Sequence, residues 1–256
     1  MTSLLPLLLS LISHSSANEL PDLVEEHENS SINWTKMRLQ GKGTLPLSET
    51  ESYSKQEVQA LTFANEALLD SFTHFYIDAE TQIEDTYQDE PKSKRYIQDN
   101  KRKYQVAETI YQTAEKVEVS VYLELQTLLR PIILSKTSIK DNPPYPSSHT
   151  GIIVDARNID FQPVLFPTIN KEEQAWLNIT QFSEDSAKTT MPFIYATTAA
   201  HPAVVERVGR NPAIYRAKSA YKDIIQLDET IDPKLSHQDA KTLLAYGTVV
   251  ILLDQP

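Results

Sequence analysis

The chain has no cysteine, only 5 glycines in 256 residues, and no apolar run of membrane-spanning length. Without cysteine there is no disulfide, thiolate nucleophile, iron–sulfur cluster or cysteine zinc site. The scarcity of glycine leaves little from which to build a phosphate-cradling loop. No G-x-G-x-x-G, Walker, G-x-S-x-G, H-E-x-x-H or calcium-loop spacing occurs. The expectation is a protein without cofactor, metal or catalytic machinery. Basic residues are also in deficit: 24 Lys and Arg against 35 Asp and Glu give a net charge of −11. Such a field repels phosphate backbones, so no nucleic acid is expected as a partner.

What is present fits a globular chain. Hydrophobic residues make up 40% and charged residues 23%, enough to bury a core over one large domain or two small ones. Leu4, Leu5, Leu7, Leu8, Leu9, Leu11 and Ile12 form an apolar run too short to span a bilayer, and Ser13 to Ala17 follow as a polar stretch. Ser15 and Ala17 are small residues at the −3 and −1 positions of a cut before Asn18, so residues 1–17 match a cleaved signal peptide. The remainder is then an exported chain, periplasmic or associated with the outer membrane, with no transmembrane segment.

Residues 18–31 are acidic and polar and read as a flexible leader. The fold class expected for the rest is α+β: a small sheet with helices on one face over residues 32–134, a proline-rich linker over 135–149, and a second strand-rich α+β region over 150–256. In the first region, Ile32 to Leu39 predict a strand and Gly41-Lys42-Gly43 a turn or bulge. Ser54 and Glu57 have the spacing of a capping box, opening a helix whose apolar face carries Val58, Leu61, Leu68, Leu69 and Phe72. Tyr76 to Ile83 predict a short strand, and a second helix of about 20 residues is expected to carry Ile97, Tyr104, Ala107 and Tyr111 on one side. Val117 to Leu125 alternate with period two, the mark of a half-buried strand. Beyond the linker, strands are expected at Gly151 to Ala156, Phe161 to Ile169, Met191 to Ala196, Asn211 to Ala217, Asp223 to Leu227 and Thr248 to Leu253, with helices at Ala203 to Val208 and Ser236 to Tyr246.

Four residues are candidates for a site. Asp155 and Arg157 stand where a buried strand runs into a loop, and either hold that turn as an ion pair or bind a small anion through Arg157. Arg207 is a second possible anion anchor, and Asn211 lies in the same motif. Ser148, His149 and Asp155 are the residue types of a nucleophilic triad, yet they sit too close along an extended segment to adopt its geometry. The 6 histidines show no metal-binding spacing.

Two stretches carry a resemblance. Thr150-Gly151-Ile152-Ile153-Val154-Asp155-Ala156-Arg157, followed by Pro163 to Ile169, resembles the TGLIIDARG-type signature of bacterial envelope proteins. These are grouped with the outer-membrane lipoprotein family that includes the flagellar protein FlgP, and are similar to the N-terminal domain of the flagellar assembly protein FlgT. Arg207-Val208-Gly209-Arg210-Asn211-Pro212 and Val249 to Asp254 match further parts of the pattern. The resemblance implies a structural or assembly role in the envelope, with protein partners or self-association and the flagellum as one setting. The chain departs from the family in lacking a lipidation cysteine and in carrying Asn158 where glycine is usual. The competing expectation is a binding module for a small anionic or peptidoglycan-derived ligand, anchored by Arg157 and Arg207.

Overall fold

Residues 20–255 of the computed structural model are described, except 74, 84, 86–90, 113–114, 146–147 and 231–232. The apolar run and the signal-peptide reading lie outside them. Two sheets with helices make the α+β fold expected. The first has five antiparallel strands in the order β1-β2-β3-β5-β4: β1 (Val24–Glu26), β2 (Ser30–Asn33), β3 (Arg38–Pro46), β4 (Gln105–Gln112) and β5 (Lys116–Glu124). Helix α1 (Tyr53–Thr73) packs across β3 and β5. Along β5 every second residue, Val117, Val119, Val121 and Leu123, is buried, as its period-two pattern requires.

The acidic leader is shorter than the sequence suggests. Leu23 is fully buried, and β1 pairs with β2 from Val24 opposite Asn33. One apolar residue and a strand edge to bind supply the ordering that composition alone does not. The glycines Gly41 and Gly43 do not make a turn; β3 runs straight through them. A Cβ at Gly43 would overlap the Ala60 carbonyl and the Ala64 nitrogen, and one at Gly41 the Ala64 carbonyl. The glycines therefore bring strand and helix backbones together, and α1 answers with a buried stripe of Gln56, Ala60, Ala64, Leu68 and Phe72. Val58, expected on the apolar face, is 61% exposed. The capping box is absent as well: α1 begins one residue before Ser54, and the Gln56 side chain bonds back to the backbone of Ser48.

The expected long second helix divides. Helix α2 (Pro91–Asn100) ends early, and Gln105 to Gln112 become β4, where Val106, Thr109, Ile110 and Tyr111 suit a strand better than a helix and β5 offers an edge to pair. The strand expected over Tyr76 to Ile83 reduces to one bridge, Tyr76 with Gln82. Helix α3 (Leu125–Lys136) continues directly from β5, buries Leu125, Leu128, Leu129, Ile132 and Ile133, and leads into the 135–149 segment.

The second sheet has seven strands in the order β8-β7-β11-β10-β6-β12-β9. They are β6 (Gly151–Asp155), β7 (Thr168–Lys171), β8 (Gln174–Leu177), β9 (Phe193–Ala196), β10 (Pro212–Tyr221), β11 (Ile224–Leu227) and β12 (Val249–Leu252). Strands β10, β6, β12 and β9 run parallel, whereas β11 is antiparallel to β10 and parallel to β7. Every residue of β9 and β12 is buried, as is β6 up to Asp155, the mark of parallel strands covered on both faces. Helix α4 (Pro202–Val208) starts at a proline behind His201, whose Nδ1 accepts from the Ala203 amide. Helix α5 (His237–Ala245) is capped by Ser236 and stops at Gly247, which has φ +71°. The prolines of the Phe161 to Ile169 segment leave only its end to β7; its middle crosses to the first half, where Leu165 and Phe166 donate to the carbonyls of Tyr76 and Ile77.

The two sheets share one core. Trp34, 1% exposed, stacks on Phe75 at 5.1 Å and meets Tyr195 of β9 edge-on at 5.5 Å. The Thr35 hydroxyl donates to the Tyr195 carbonyl at 2.7 Å, and the Tyr195 hydroxyl donates to the Val164 carbonyl at 2.6 Å. Beside this contact, buried His201 faces Asp22 across the junction at 3.1 Å. Trp34 is thus a core plug, and so is Trp176, which is 5% exposed against Tyr215.

Candidate functional site

The four candidate residues do not form one site. Asp155 and Arg157 lie at the C-terminal end of β6, whereas Arg207 and Asn211 lie beside its start, because Pro212 of β10 pairs with Gly151. Four residue steps of strand, about 13 Å, separate the two ends.

At the C-terminal end Arg157 grips Asp155 with two parallel bonds, Nε to Oδ1 at 2.8 Å and Nη2 to Oδ2 at 2.7 Å. The next residue, Asn158, takes φ +65° and donates its amide to Asp254 Oδ2 at 2.6 Å, just beyond β12. Asparagine suits this position, since it tolerates the left-handed region better than most residues. Arg216 of β10 and Asp254 join these residues around a shallow cavity of about 460 Å³. The bond from Arg157 holds the Asp155 carboxyl below its usual range against the opposing effect of burial, and Asp155 in turn raises Arg157. The paired forks clamp the turn, and Asp155 neutralises the charge with which Arg157 would attract an added anion. The Ser148, His149 and Asp155 residues form no triad: His149 touches the Ser148 hydroxyl at 3.2 Å in solvent, while Asp155 is held by Arg157 at the far end of β6.

Asp22 behaves like Asp155. Burial raises its carboxyl, but bonds from Lys36 and Asn33 and the charges of Lys36 and His201 outweigh it and hold the group below 3.8. Both carboxyls are thus lower in the folded state than in the unfolded one. Their contribution is complete above the unfolded value of 3.8 and disappears as pH falls through the lowered folded values. An acid titration followed by circular dichroism should show stability declining below pH about 4. An Asp22→Asn, Asp155→Asn double variant should decline less steeply there.

At the other end the two halves of the sequence pattern interlock. The Thr150 hydroxyl donates to the Val208 carbonyl at 2.6 Å and accepts from the Asn211 amide at 2.9 Å, while Asn211 Nδ2 donates to the Ser148 carbonyl at 2.8 Å. Gly151 lies against Val208, where a Cβ would come within 2.6 Å of its Cα, and Gly209 takes φ +70° beside Thr150. The motif residues Thr150, Gly151, Val208, Gly209 and Asn211 are thereby explained by packing. Asn211 is a latch.

Residues 151–255 match the family described as Treponema pallidum Tp0624, second domain. The match runs from the first residue of β6 to just past β12 and so takes in the whole seven-stranded sheet, with the first sheet lying outside it. No curated protein matches the chain.

Arg207 is different from the other three. Its Nη1 donates to the Thr190 hydroxyl at 2.7 Å and its Nη2 to the Met191 carbonyl, yet its Nε is sealed from solvent without a partner. The residue as a whole is half-buried, but burial of the guanidinium pushes its pKa from 12.5 to about 9, so the charge remains at neutral pH. It lines a cleft of about 480 Å³ between the sheets, walled by Thr35, Lys36 and Gln126 on one side and Thr190, Arg207 and Thr248 on the other. The sequence named Arg207 but could not show the cleft, since Lys36 and Gln126 lie far away along the chain. No described helix is long and apolar enough to cross a membrane, and among the described residues no acidic or histidine cluster fits a metal.

Proposed function

We propose that this is a non-enzymatic protein of the bacterial envelope that works by assembly, pairing with a second copy of itself through the edge of its first sheet. The observation that supports this reading is β4. It is the last strand of its sheet, and residues 105–109 and 111 are all exposed, with Val106 52% and Tyr111 42% accessible. An exposed edge strand presents backbone donors and acceptors as a template for another strand. A bulge at Ala107 interrupts its start, but Glu108 to Gln112 remain in regular register with β5.

The occupant that fits this edge is its own copy. Glu108 is the only charged residue of β4, so antiparallel pairing about a two-fold axis at Ile110 puts Glu108 away from the partner's Glu108. Self-complementary contact of this kind closes into a dimer. The apolar leader at residues 4–12 and the envelope resemblance support an exported location, and the flagellum is one structure on which such a dimer would dock. Sedimentation of the wild type should show a concentration-dependent dimer, and a Val106→Lys, Thr109→Lys variant should stay monomeric with unchanged circular dichroism. A wild type that is monomeric at all concentrations, or a variant that still dimerises, contradicts the reading.

A further inference from the structure

The cleft between the sheets holds a charge that the protein leaves unmatched. Buried arginines are nearly always paired, because removing a cation from water is costly without a counter-ion. Lys36, which lines the same cleft, is bonded to Asp22 at 2.7 Å, and Glu124 is bonded to Arg38 at 2.7 Å. Arg207 has a hydroxyl and a carbonyl as partners, and no carboxylate pairs with it among the described residues. Glu206, its neighbour on α4, also lines the cleft but points no carboxylate within ion-pair distance of it. Arg207 therefore lines a space of ligand size, with donor capacity to spare and one N–H sealed from water without a partner.

We propose that this cleft binds a small carboxylate-bearing ligand, with Arg207 as its counter-ion and groups from both sheets around it. A carboxylate suits a guanidinium fork, and it brings one negative charge to the cleft's cation that has no acid partner among the described residues. A phosphate would bring nearly two against the same single cation and would meet Glu206 on the rim. The polar lining of Thr35, Gln126 and Thr248 offers hydrogen bonds to the body of such a ligand. Because Lys36 and Gln126 belong to the first half and Arg207 to the second, an occupant would tie the two halves together.

The test is calorimetric titration of the full chain at pH 7 with four probes: acetate, N-acetyl-alanyl-alanine, the amide of that dipeptide, and inorganic phosphate. At least one carboxylate should bind, and the amide and phosphate should bind about tenfold more weakly or not at all. Binding of acetate alone points to a free small acid, and binding of the dipeptide points to a peptide terminus; either supports the proposal. Arg207→Met should abolish that binding, Arg157→Gln should leave it unchanged, and Glu206→Gln should tighten it about two- to threefold. Without ligand, Arg207→Met should melt within about 3 °C of the wild type, since it removes an unmatched buried charge along with two hydrogen bonds. The proposal is overturned if no carboxylate binds at concentrations up to about 10 mM. It is equally overturned if the amide or phosphate binds as well, or if the folded Arg207→Met variant binds like the wild type.

Discussion

Gly43→Val should unfold the protein or reduce its stability by about 3 kcal/mol or more, a large part of the roughly 5–15 kcal/mol available to a chain of ordinary stability. The strand and helix backbones leave no room there: an added Cβ would strike the Ala60 carbonyl and the Ala64 amide nitrogen, which are backbone atoms and cannot rotate away. Helix α1 cannot retreat either, because Leu68 and Phe72 hold its next turns in the core. Urea denaturation should show a lower midpoint with an unchanged slope, or the variant should fail to accumulate as folded protein. An unchanged midpoint would mean that α1 does not lie against β3 as described.

Trp34→Ala should cost about 3–5 kcal/mol, as expected for emptying a fully buried aromatic site. Three contacts are lost together: the stack on Phe75, the edge-on contact with Tyr195, and the Nε1 bond to Glu25 at 3.0 Å. The change also removes one of the chain's 2 tryptophans, so the remaining fluorescence reports Trp176 in the second sheet. If the halves share a core through Trp34 and Tyr195, the Trp176 transition should move to lower denaturant with the rest of the molecule. A Trp176 midpoint unmoved by the change would show that the second sheet folds independently of the first.

The strand-rich C-terminal region was largely legible in the sequence, because its signals are local. Ser236 and Gly247 bracket α5, and the continuous apolar runs at Gly151 to Asp155 and Val249 to Leu252 are buried strands. The first region was less legible where tertiary contacts override local pattern. Tyr104, Ala107 and Tyr111 fall at helical spacing, yet β5 draws this segment into a sheet. Gly41 and Gly43 look like turn residues until α1 is placed against them. Small residues at Ala60 and Ala64 carry no hydrophobic periodicity of note, so the true buried face of α1 was hidden behind the larger Val58 and Leu61.

The site was legible only as residue types. Asp155 with Arg157 reads from its place after a buried strand as either an ion pair holding the turn or an anion site, and the structure shows the ion pair. Asp254, which completes that turn, follows the last strand and offers no sequence signal linking it to Asn158. Arg207 sits beside Glu206 on a short helix, and nothing along the chain indicates that Lys36 and Gln126 stand opposite it.

A chain without cysteine allows the assembly claim to be tested by placing a single thiol at the β4 edge. Thr109→Cys, Ile110→Cys and Tyr111→Cys would be made one at a time and the purified proteins oxidised, with Lys92→Cys on exposed α2 as the control. Antiparallel pairing about Ile110 brings the two copies of residue 110 to about 4.5–5.5 Å between Cα atoms, within disulfide reach, while the thiols at 109 and 111 report an axis shifted by one residue. The account predicts a covalent dimer from at least one of the three β4 variants and little from the control. Monomers from all three, under conditions where free thiols in the control are shown to oxidise, would contradict it.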